Sequence, residues 1–175
     1  MGSPRLGRAG LVLLAAVLLG FAFVYAGERR ISSGGGPTPQ GQPVDGIPCE
    51  GGEQLTYHVH VVLRILVNGA GRTVPAAIGI VNPGRVRFGS IAQGDCFYWL
   101  HTHDSTGMIH VEAPIARPFT LGTFFDIWGQ PLSETQVSDW TGTVTADVGD
   151  REVPGDPRAI PLVEGTTINL WVATR

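Results

Sequence analysis

Residues 57–67 read YHVHVVLRILV, an alternation that holds without a break. Tyr57, Val59, Val61, Leu63, Ile65 and Val67 fall on one side, and His58, His60, Val62, Arg64 and Leu66 on the other. A period of two identifies a β-strand, because successive side chains leave the pleat on opposite faces. The apolar side is a core face. The other side carries two imidazoles one pleat apart.

Working outward, "NGAG" at 68–71 is a turn, and 72–80 is expected as a hairpin partner, with Pro75 marking an edge or bulge. "VRFGSI" at 86–91 reads as a short strand, "CFYWLHTH" at 96–103 as a longer one. "DSTG" at 104–107 turns the chain into the return strand "MIHVE" at 108–112. "TVTADV" at 143–148 and "TINLWVA" at 167–173 complete the sheet. One helix is expected in "FTLGTFFDIWGQP" at 119–131. Thr120 is its cap, Leu121, Phe124, Phe125 and Trp128 form its apolar stripe, Gly129 ends it and Pro131 forbids its return. That stripe is read as packing on the sheet. A weaker helical turn is expected near "SETQ" at 133–136. The expected fold is mainly β: a single antiparallel sheet-based domain, sandwich- or barrel-like, with one short helix, preceded by an N-terminal transmembrane or signal helix.

The organisation before that domain is read from composition. Residues 1–8 are basic, with Arg5 and Arg8. Residues 9–27 carry no charge. As a helix they span roughly 28 Å, enough to cross a bilayer core. The run is longer than the ~7–15 residues of a signal-peptide core, which favours a retained anchor. Cleavage near Val24–Ala26 is the alternative and would make the protein secreted. Both readings place the rest of the chain outside the cytoplasm. Residues 28–48, rich in Gly and Pro, form a linker. The domain proper is 49–175, with eight arginines, no lysine and thirteen carboxylates, a formal charge of −5. No basic cluster exists for a nucleic acid to recognise.

All five histidines lie in two clusters, His58 and His60 in one, His101, His103 and His110 in the other. His-x-His places both rings on one face of a strand, about 6.7 Å apart along it. With Val59, Val61, Tyr98, Leu100, Ile109 and Val111 on the core side, all five imidazoles share the opposite face. They are expected to converge on one transition-metal ion, with Phe97 and Trp99 walling the site. The competing reading is scattered structural histidines or a pH sensor. Asp104 is read as a turn cap or a partner orienting an imidazole, with ligation as the alternative. Glu112 either completes a facial set of two histidines and a carboxylate, which suits iron, or is a solvated charge. Met108 is read as packing, or as a soft ligand for copper. Copper is placed ahead of zinc, with iron third.

Several metal-site patterns are only partly matched. "YHVH" resembles the His-x-His strand of copper–zinc superoxide dismutases, without their downstream ligands. Neither cluster has the cupin glutamate spacing, "HTHD" departs from the metallo-β-lactamase signature, and no blue-copper loop is present. The fuller resemblance is to an uncharacterised group of exported or membrane-anchored prokaryotic proteins with no established activity. It is carried by His-x-His leading into "VNG", then "IGI", "WLHTHD", "TG", "IHVE" and "FTLG" through "WGQPL", over most of residues 49–135. That resemblance implies an extracytoplasmic domain built around these histidines and implies no activity.

Three functions fit. The first is a membrane-anchored, extracytoplasmic metal-binding protein for metal handling or delivery, exchanging its ion with a donor or acceptor protein. The second is a metal-dependent oxidase, oxygenase or hydrolase using the same histidines. The third is an interaction module with a structural metal. Cys49 and Cys96 are expected to form a disulfide, the default outside the cytoplasm; a thiolate metal ligand is the alternative. Thiol titration of the denatured, unreduced protein is expected to find no free thiol. Two free thiols would restore the thiolate reading.

Overall fold

The computed structural model describes residues 41–175. The expected membrane or signal segment at 9–27 and the first part of the linker lie outside the described residues. No helix among the described residues is long and apolar enough to cross a membrane.

The alternating stretch is strand β2, Tyr57–Val67, after a short β1 at Cys49–Glu50. Val61, Leu63 and Ile65 are almost fully buried, and His58 is exposed. Asn68 and Gly69, both at positive φ (49° and 80°), make the tight turn into β3, Ala70–Arg72. The expected partner at 72–80 pairs with β2 only as far as Arg72. The chain then leaves the sheet, and Ile80–Val81 (β4) pairs instead with Cys96–Tyr98 (β5). "VRFGSI" is not a strand; it holds a single bridge, Arg87 to Ser90.

"CFYWLHTH" also differs from expectation. It breaks at Trp99 into β5 and β6, Leu100–His101, which belong to different sheets. The return strand β7, Met108–Ala113, lies antiparallel between β6 and β2. After helix α1, Leu121–Trp128, the "SETQ" segment is a hairpin, not a helical turn: β8 (Leu132–Ser133) pairs with β9 (Gln136–Val137). β10 (Trp140–Thr141) pairs with β9, and β11 (Thr143–Val148), β12 (Arg151–Val153) and β13 (Thr166–Ala173) follow.

Seven strands form the main sheet, in the order β12-β11-β13-β2-β7-β6 with β3 beside β2, and two three-stranded sheets flank it. The mainly β, sheet-based fold with largely antiparallel pairing is as expected, with two differences in detail. There are three sheets, and β13 runs parallel to β2, with Ile168 opposite Leu63. The strand order runs from β12 to β6 and does not close into a barrel.

The helix is as expected. Thr120 caps it by accepting from Thr123 N, and Gly129 closes it. Phe124, Phe125 and Ile127 are fully buried in the same core as Val61, Leu63, Ile65, Leu100 and Ile109. Burying each such side chain is worth about 1.5–3 kcal/mol. Cys49 and Cys96 form a disulfide with Cα atoms 5.4 Å apart, joining β1 to β5. A tie of this length stabilises by about 2–4 kcal/mol. Ordered packing begins upstream of Cys49: Ile47 is fully buried, and the Tyr98 hydroxyl donates to Gln42 O.

The hairpin between β6 and β7 is held against β2 by Gly107, whose carbonyl accepts from Leu63 N at 2.8 Å. Gly107 has φ +85°, and an added Cβ would lie 2.2 Å from Leu63 O. Gly107→Ala is therefore expected to destabilise by more than about 1 kcal/mol, as a shift of the urea midpoint with unchanged slope. An unshifted midpoint would show that the loop yields freely.

Candidate metal centre

The register of three strands assembles the site. His58 faces Glu112, and His60 faces His110, across the β2–β7 pair. His101 faces His110 across β6–β7. Directly opposed residues on one face have Cβ atoms about 4.5–5.5 Å apart. The rings accordingly crowd together, with centroids 4.7 Å apart for His60 and His110, 5.6 Å for His101 and His110, and 4.5 Å for His103 and His110.

His103 lies past the end of β6, and its position has its own cause. Between the two histidines, Thr102 is fully buried. Its hydroxyl donates to Pro75 O at 2.8 Å and accepts from Ile78 N at 3.1 Å. Its backbone N and O pair with Ile78 O and Ala77 N. Residues 75–78, expected to pair with β2, instead clamp the backbone of "HTH". Gly79 lets this clamp approach: an added Cβ there would sit 2.3 Å from Leu100 O. The segment expected as strand 86–91 ends at Ile91, which donates its N–H to His103 O at 2.8 Å.

Ring orientation is set in the same way. His101 Nδ1 is 2.9 Å from Tyr98 O, and His103 Nδ1 is 2.6 Å from Ile91 O. A carbonyl only accepts, so both Nδ1 atoms carry the proton. A ring protonated only at Nδ1 offers an Nε2 lone pair, and the two Nε2 atoms face each other at 3.2 Å. A backbone carbonyl holding the far nitrogen is the usual arrangement behind a metal-binding histidine.

Carboxylates close the cluster. Glu112 is 3% exposed; its Oε1 lies 3.0 Å from His58 Nε2 and 3.5 Å from His110 Nδ1, and its Oε2 is 3.7 Å from His101 Nε2. His110 Nδ1 and Glu112 Oε2 are buried and form no hydrogen bond among the described residues. Glu53 Oε1 lies 3.4 Å from His103 Nε2. Nothing in the local sequence marks Glu53 as a site residue. The signal that could have found it is the disulfide, which ties the chain four residues before Glu53 to β5, five residues before His101. Glu164 was also missed; its Oε2 accepts from His60 N at 2.7 Å.

The cluster holds three groups able to bind a metal ion, each with ligand atoms within 4.8 Å of one another: His58, His60 and His110; Glu53, His101 and His103; and His103, His110 and Glu112. All five expected histidines are thus brought together, around several overlapping centres instead of one point. Glu112 is at the heart of the cluster and is not a solvated charge. Asp104 caps its turn, accepting from Thr106 N at 2.8 Å. Met108 is half-buried opposite Val62, one pleat beyond His110. Phe97 walls the site edge-on to His101, with centroids 5.7 Å apart. Trp99 does not; the break in the strand turns it toward Phe119 and Arg117, and its indole donates to Glu50. The cysteines are joined to each other and offer no thiolate. A shallow groove of about 540 Å³, lined partly by Gly52, Glu53, Gln93 and Phe97, opens beside the Glu53 end.

No family model, no curated protein and no solved structure matches this chain.

Burial pushes the His101 pKa down to about 4, aided by the neighbouring His103 and His110 and opposed by its bond to Tyr98 O and by Glu112. Burial likewise lowers His60. Burial would raise Glu112, but His110, His101 and His58 outweigh it and hold the carboxyl below its ordinary value. Both effects keep lone pairs free at neutral pH. For His101 the unfolded chain, titrating near 6.5, binds more protons than the fold between pH 6.5 and about 4. Stability of the metal-free protein is therefore expected to fall as pH drops through that window. Melting curves across it should show a steeper loss for wild type than for His101→Gln. Parallel curves would remove His101 as the source.

Proposed function

We propose that this is a transition-metal-binding domain, held outside the cytoplasmic membrane by residues 9–27, that serves metal handling or delivery. The observation that carries the reading is the pair His101 and His103, each fixed through Nδ1 to a backbone carbonyl, with both Nε2 atoms converging beside Glu53 and Glu112. Two Nε2 lone pairs at that distance repel unless a proton or a metal ion lies between them, and a metal ion is the occupant that both lone pairs can bind at once.

The donors are imidazole nitrogens and carboxylate oxygens with no sulfur. That set suits Cu(II), Zn(II) and Fe(II), and copper stands first because it binds most strongly to a given nitrogen and oxygen site. Partial exposure favours exchange over a sealed structural ion: His58 is 38% exposed and Glu53 31%, at the edges of the cluster. The Cys49–Cys96 disulfide and the resemblance to exported or membrane-anchored proteins support an extracytoplasmic location. Metal would then pass between this domain and a donor or acceptor protein. One observation favours a metalloenzyme as the second reading. Each group offers three protein ligands, which leaves a coordination position for water or substrate, as catalytic sites do.

The test is elemental analysis of the full chain, exported and purified without chelators, beside a variant with all five histidines changed to asparagine. The wild type is expected to carry copper or zinc, release it to a competing chelator within minutes, and take it up again. The variant, with an unchanged circular dichroism spectrum, should carry none. Metal-free wild type that cannot be loaded, or full loading of the variant, would end the metal reading. Bound metal that resists the chelator would move the function from delivery to structure or catalysis.

A further inference from the structure

We propose that the centre is binuclear, with the carboxylate of Glu112 bridging two transition-metal ions. The inference rests on the metal-binding reading above and adds the number of ions and their link.

The three ligand groups are not equivalent. The set His58, His60 and His110 and the set Glu53, His101 and His103 share no residue. The third set takes His110 from one and His103 from the other, and adds Glu112. One ion in the third set would leave His58, His60, His101 and Glu53 gathered around it without a role. Two ions in the first two sets use all five histidines and Glu53, and leave Glu112 to be placed.

Glu112 lies between those two sets. Its Oε1 faces His58 and His110, of the first, at 3.0 and 3.5 Å. Its Oε2 faces His101, of the second, at 3.7 Å. The two oxygens of one carboxyl group thus address different ligand sets, the geometry of a bridging carboxylate. The residue is 3% exposed, and its Oε2 has no hydrogen-bond donor among the described residues. A buried carboxylate oxygen without a donor is costly, and a cation beside it removes that cost. His110 Nδ1, buried and equally unbonded, belongs to the first set.

The strand order explains the symmetry. β2 supplies one His-x-His pair, the end of β6 supplies the other, and β7 between them supplies His110 and the bridge. Bridged pairs of this kind hold their ions roughly 3.5–4 Å apart. The ligands fit dications of the Cu(II) and Zn(II) class, and a small oxygen ligand can span the open positions.

The experiment strips the full chain with chelator, reloads it with Zn(II) or with Cu(II), removes excess metal and measures the content. About two equivalents per chain are expected. His58→Asn/His60→Asn should retain about one, and so should His101→Asn/His103→Asn. The Cu(II) form should show coupled spins in its electron paramagnetic resonance spectrum, read as a half-field signal or as an integrated intensity far below that of two isolated ions. Both pair variants and Glu112→Gln should lose the coupling. A single equivalent in the wild type, abolished by either pair of substitutions, would overturn the binuclear centre and leave a one-ion site standing. Two equivalents that give the full integrated signal of two isolated Cu(II) ions would overturn the bridge. No bound metal at all would overturn both this inference and the function it rests on. Wild-type stoichiometry and spectrum decide among these outcomes even where a variant misfolds.

Discussion

Everything at this site depends on the register between β2 and β7. With His60 opposite His110, His58 falls opposite Glu112, and the apolar residues between them turn inward together. Because side chains alternate, a slip of one residue would send the imidazoles into the core and the valines into water. The register is therefore over-determined. Val59, Val61, Ile109 and Val111 fix it from the core side, and Gly107 fixes it from the end of the hairpin through Leu63. The same burial that drives folding sets the spacing of the ligands, so the site's geometry is inherited from the core.

What could be read from the sequence was whatever has a local period. The alternation of 57–67, the capped helix at Thr120–Gly129 and the return strand with His110 and Glu112 all follow from patterns within a dozen residues. The shared face of the histidines follows too, because parity along a strand survives any arrangement of the strands. Non-local choices escaped. Nothing near Thr166 announces that β13 will run parallel to β2. Trp99 sits in an unbroken apolar run, yet the chain changes sheets there because Cys96–Tyr98 pair with β1 and β4. "SETQ" carries good helix formers but is too short to nucleate a helix, and it closes a hairpin.

The least legible part was the support behind the ligands. Thr102 lies between two histidines in the sequence and looks like a spacer. In the fold its hydroxyl is buried and bonded on both sides, tied to Pro75 and Ile78. Its partners come from a segment expected to do something else, and so does Ile91, which orients His103. A ligand's identity can be guessed from its own type. The groups that aim it are ordinary backbone atoms, brought from a distance and without a signature.

The Cys49–Cys96 bond has a further consequence for Glu53. Glu53 is four Cα steps beyond Cys49, a reach of at most about 14 Å. The other half-cystine stands at the start of β5, five residues before His101 and one strand break away from it. Glu53 is in effect a leashed ligand, and its local concentration near His103 is set by the length of the leash, in the millimolar range that short tethers give. An ion bound there as proposed would shed this arm on leaving, and the arm would remain within reach. On the metal-binding reading proposed above, such a centre would open at one edge, beside the adjoining groove, and close again, while the strands that carry the histidines stay where the core holds them.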